Sequence, residues 1–121
     1  MTRALPFLAA LAALPAQAET GQSCAFTVAC EAAGGCVPSD VETEIGMAED
    51  GAIAFLSAGA GPLPATTLSA PQTSPRIYAV AGADGDSDLI TIHADGTALR
   101  SHHPSSPGAP ATTYFGTCEE T

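Results

Sequence analysis

The sequence predicts an all-β fold: a small antiparallel β-barrel or sandwich of seven or eight short strands, stabilised by disulfides. Three observations carry this. No stretch after residue 18 sustains a helical period; short runs alternate apolar and polar residues instead. Clusters of Gly, Pro, Asp and Ser separate the runs, as turns separate strands. Cys24, Cys30, Cys36 and Cys118 make an even set of four in a chain of 121 residues, which is how small exported domains are stapled.

The chain opens Met1-Thr2-Arg3, runs through Ala- and Leu-rich residues to Leu14, and reaches Ala16-Gln17-Ala18. A basic start, a short apolar core and an A-x-A site describe a secretory signal peptide over residues 1–18, leaving a single β domain over residues 19–121. The apolar run is shorter than the roughly 20 residues needed to span a bilayer. Cys24 follows Gly21-Gln22-Ser23, without the aliphatic residue expected before a lipid-modified cysteine. The expected product is therefore a soluble periplasmic or secreted protein.

Residues 24–30 alternate, with Cys24, Phe26, Val28 and Cys30 expected on one face of a first strand. Gly34-Gly35 makes a flexible loop before Cys36, and Pro38-Ser39-Asp40 reads as a turn. Residues 41–47 alternate again. A three-residue loop at Glu49-Asp50-Gly51 sets Met47 opposite Ile53 and Ile45 opposite Phe55 on one face, whereas a two-residue loop would split those pairs. Residues 65–68 read as a short edge strand. Residues 76–81 read as a further strand, with either Ile77 or Tyr78 inward.

Asp95-Gly96 lies between residues 89–93 and 97–101 and suggests a two-residue hairpin turn. That register would put Ile90, Ile92 and Leu99 on one face and Thr91, His93, Arg100 and His102 on the other. Three prolines between residues 104 and 110 mark a loop. A last strand, residues 111–117, ends on Cys118.

Four cysteines allow three pairings. The five residues between Cys30 and Cys36 include two glycines, so that short loop can bend into a bridge, leaving Cys24 for Cys118. Closure of a barrel asks for the same pairing of first strand with last. The competing pattern, Cys24–Cys36 with Cys30–Cys118, also ties the chain's end to its start.

The formal net charge is −10, from 3 basic and 13 acidic residues. Loss of Arg3 with the leader leaves Arg76 and Arg100 as the strong cations. This balance disfavours nucleic acid and anionic membranes. It suits solubility and a basic partner protein. Asp84, Asp86 and Asp88 are spaced like the start of a calcium loop. However, Leu89 stands at the sharp-turn Gly position, and Asp95 replaces the final Glu. A solvated acidic turn is the preferred reading. His93, His102 and His103 do not converge in the expected register. No nucleophile elbow or phosphate loop is present. No cofactor, metal or catalytic residue is assigned, and the chain is not expected to be an enzyme.

The ending Tyr114-Phe115-Gly116-Thr117-Cys118 has the form Y-x-G-x-C. With the leader and the cysteine-bearing first strand, it resembles small exported bacterial proteins of unknown function. That resemblance implies a disulfide-closed β fold and no activity. In size, compartment and acidity the chain is also similar to periplasmic lysozyme inhibitors, which are small disulfide-bonded β-barrels. The expected function is thus non-catalytic binding of a cationic protein such as a lysozyme. A small-molecule or ion-binding β-barrel is the alternative.

Overall fold

The alternating runs become eight strands: β1 (Gln22–Glu31), β2 (Cys36–Met47), β3 (Ile53–Ser57), β4 (Leu63–Thr67), β5 (Arg76–Ala81), β6 (Ser87–Ile92), β7 (Thr97–His103) and β8 (Thr112–Glu120). This computed structural model describes residues 21–47, 52–57, 61–82 and 84–121. The predicted leader and its cleavage site lie outside the described residues, as does the turn at Glu49-Asp50-Gly51. Each strand pairs antiparallel with the next, and β8 returns to β1, so the sheet is a closed barrel. The predicted fold class is therefore observed, as a barrel rather than a sandwich. Among the described residues no helix is long and apolar enough to cross a membrane.

Both predicted disulfides are present, Cys24–Cys118 and Cys30–Cys36. Cys24 and Cys118 are direct cross-strand partners on β1 and β8, and Cys30 and Cys36 flank the first hairpin. The first bridge lies inside the barrel, with both cysteines buried. Two disulfides fit a protein exported to an oxidising compartment.

The core is one cluster that includes Phe26, Ile45, Phe55, Tyr78, Val80, Ile90, Ile92 and Ala98. Tyr78, not Ile77, is the inward residue of β5. Met47 pairs with Ile53 and Ile45 with Phe55, as the hydrophobic pattern required.

Four local expectations are corrected. The β6–β7 hairpin does not turn on two residues. Ile92 pairs with Ala98 and Ile90 with Arg100, so the loop is Ala94-Asp95-Gly96, with Gly96 at φ +92°. One step of register reverses a strand's faces: Ala98 and Arg100 point inward and Leu99 outward. The physical reason is space. Ala98 lies beside Gly116, which lies beside Phe26, so the smallest side chains of this row sit where the fully buried Phe26 fills the interior.

Second, Val28 does not share a face with Phe26. A bulge at Thr27 shifts the pairing of β1 with both neighbours, and Val28 turns outward at 36% exposure. Third, Pro38-Ser39-Asp40 is not a turn. It lies within β2 opposite that bulge, where a residue without an N–H is tolerated. Fourth, the segment predicted as an edge strand, now β4, pairs with both β3 and β5. Closure leaves it no free edge.

Candidate functional site

Arg100 is the centre of the lumen. It projects inward from β7, and its side chain is 11% exposed. Its Nε donates to Asp88 Oδ2 on β6 at 2.6 Å, and its Nη1 donates to Thr43 Oγ1 on β2 at 2.9 Å. The guanidinium lies 4.9 Å from the Phe55 ring centre and 5.5 Å from that of Tyr114. A buried charge requires a counter-ion and satisfied donors, and aromatic faces add cation–π attraction. Arg100 therefore acts as a crossbar through the barrel, from β6 and β7 to β2.

Asp88 is shared. Its second oxygen accepts from His102 Nδ1 at 2.9 Å. Since a carboxylate only accepts, the ring hydrogen sits on Nδ1. His102 Nε2 lies 3.6 Å from Asp86 Oδ2 at the rim, and Asp86 also accepts from the Ser105 backbone N–H, pinning the β7–β8 loop. The waist is filled by side chains, and no fully enclosed side-chain polar atom of the described residues lacks a partner.

The three aspartates singled out in the sequence thus part company. Asp88 points into the barrel and is occupied by Arg100 and His102. Asp86 faces the rim, and Asp84 is exposed. His102 points inward, whereas His93 and His103 are exposed, so the three histidines do not meet. The Arg100–Asp88–His102 cluster escaped sequence reasoning because a one-residue register error placed Arg100 outside. The available signal was three inward positions of β6 and β7 carrying opposite charges.

The outer wall is different. Asp40, Glu42 and Glu44 follow at alternate positions of β2, all exposed. Ser23 of β1 pairs with Glu44 on one side and with Glu119 of β8 on the other. Small residues on β1 therefore leave a trough beside an acidic wall. Asp40, Glu42 and Glu44 line an open groove of about 660 Å³ with Ser23 and Leu56. No described cation pairs with these carboxylates. Arg100 is committed to Asp88, and Arg76 borders a different cavity.

Asp95 belongs to neither feature. Its carboxylate accepts from the Thr97 backbone N–H and hydroxyl, and those bonds, the backbone one foremost, hold it below the usual carboxylate range. It caps the hairpin loop. No protein-family model, curated protein or solved structure matches the chain.

Proposed function

We propose that this chain is an exported, non-catalytic binding protein whose acidic outer wall engages a basic protein, a lysozyme being the model partner. The observation that carries the reading is the groove walled by Asp40, Glu42 and Glu44, with no neutralising cation among the described residues. Held on β2 of a disulfide-closed barrel, these carboxylates keep their spacing without an ordering cost at binding. Their like-charge repulsion is relieved when a basic loop enters. The filled waist supports a role played at the surface.

The test is binding of a basic lysozyme across a salt series. Attraction between exposed charges is screened over about 8 Å at physiological ionic strength, so affinity should fall as salt rises. Glu42→Gln with Glu44→Gln should weaken binding at low salt. Affinity that ignores both salt and these substitutions would remove the acidic wall from the account.

A further inference from the structure

One end of the barrel carries a second cavity, of about 410 Å³, unrelated to the acidic wall. Its walls come from the start of β1, the end of β8, the β4–β5 loop and the β6–β7 loop. Mouths of β-barrels are a usual place for small-ligand sites, and this volume lies within the range of such sites. Cys118 lines it, and its disulfide to Cys24 fixes β1 to β8 beneath the opening.

The polar groups gathered here are uncommitted, unlike those of the waist. Gln22 lines the cavity and is only 6% exposed, yet its amide has no hydrogen-bond partner among the described residues. Because no fully enclosed side-chain polar atom of the described residues lacks a partner, that amide opens onto the cavity. There it meets only the water of the cavity, and a ligand group can take that water's place. Arg76 and Glu120 line the same cavity. They form no ion pair with each other, and Arg76 has no ionic partner among the described residues. Of the two arginines described in this acid-rich chain, one is thus buried in a complete network and the other faces a pocket.

The β4–β5 lip is pre-shaped. Thr73 donates through both its N–H and its hydroxyl to the Ala70 carbonyl, and the Ile77 N–H donates to Ser69 Oγ. Arg76 also borders an adjoining cavity of about 420 Å³, which includes Met47, Ile53 and Tyr78. A charged subsite therefore abuts an apolar one.

We propose that the mouth binds a small zwitterion, an amino acid or short peptide with free ends. Arg76 receives the carboxylate, Glu120 the ammonium and Gln22 an amide or carboxylate edge, while an apolar side chain enters the cavity beside Tyr78. Charges of both signs with no ionic partner among the described residues, beside an amide open to the cavity, match a dipolar ligand better than a simple anion, which Glu120 would repel.

The test is an NMR titration of the disulfide-intact mature protein with L-leucine, glycyl-leucine and diglycyl-leucine. The expected result is a saturable shift of Gln22, Arg76 and His93 resonances with at least one of them. Blocking that ligand's amine by acetylation, or its carboxylate as the amide, should each weaken binding about tenfold, the loss of one charge-assisted contact. Arg76→Gln should do the same, and ligand blocking needs no altered protein. Glu42→Gln with Glu44→Gln should leave this binding unchanged, so failure here is distinct from failure of the acidic-wall reading. No saturable shift with any of the three, or equal binding of the acetylated ligand, would overturn the proposal.

Discussion

Gly116 stands where a side chain has no room. A Cβ there would overlap the Ala25 carbonyl oxygen and come within 2.6 Å of the Phe26 Cα. The obstacle is backbone of the bulged β1, which cannot swing aside as a side-chain tip can. Gly116→Ala should therefore cost about 3 kcal/mol, at the upper end of ordinary overpacking. Thermal melting would show a drop of more than 10 °C at roughly 4–8 °C per kcal/mol. A melt within 2 °C or so of the parent would mean that β1 and β8 separate there at little cost. Arg100 gives the second prediction at this scale. Asp88→Ala would leave the guanidinium buried without its anion, a change worth about 3–5 kcal/mol. Arg100→Met with Asp88→Leu should be much less harmful, because a filled apolar waist replaces the pair. Urea denaturation of both variants checks the order. If the double variant were the weaker, the pair would be a net contributor rather than a buried charge made tolerable.

The strands themselves were legible because one face had to be apolar. Met47 with Ile53 and Ile45 with Phe55 could be paired from side-chain type alone. The errors fell where a different force outranked that pattern. Leu99 is the better core residue by hydrophobicity, but Ala98 is the one that faces inward, paired with Gly116 beside the buried Phe26. Val28 keeps the alternation in the sequence but loses it in space, because the bulge at Thr27 consumes one residue. Bulges leave a weak sequence mark, here a Pro-Ser-Asp string that is equally the mark of a turn. The disulfides were legible through loop length and closure. They span 94 and 6 residues, so the chain-entropy argument assigns about 4.6 and about 2.2 kcal/mol. Cys24→Ser with Cys118→Ser should accordingly melt well below Cys30→Ser with Cys36→Ser by calorimetry. Equal losses would show that residual structure in the unfolded chain, not loop closure, sets the stabilisation.

At the scale of the whole molecule, charge is distributed by function of place. Of the ten acidic residues described, eight are exposed, Asp86 is half-buried, and only Asp88 is buried. Of the two arginines described, Arg100 is internal and Arg76 half-buried. Composition announced the imbalance, but only closure of the sheet revealed that the Arg100–Asp88 ion pair lies inside. The exposed acids then share a small barrel with no intervening cation among the described residues, so the folded state carries net self-repulsion. Screening should relieve it, while the buried Arg100–Asp88 pair is shielded from salt by the surrounding strands. The melting temperature at neutral pH should therefore rise with sodium chloride between low salt and about 0.5 M, by something on the order of 5 °C. The sign is opposite to that expected for binding of a basic protein, which the same salt weakens. Differential scanning calorimetry of the isolated protein decides it. A melting temperature that falls with salt would mean that surface attractions dominate, which would require cationic partners for the β2 acids that the described residues do not supply.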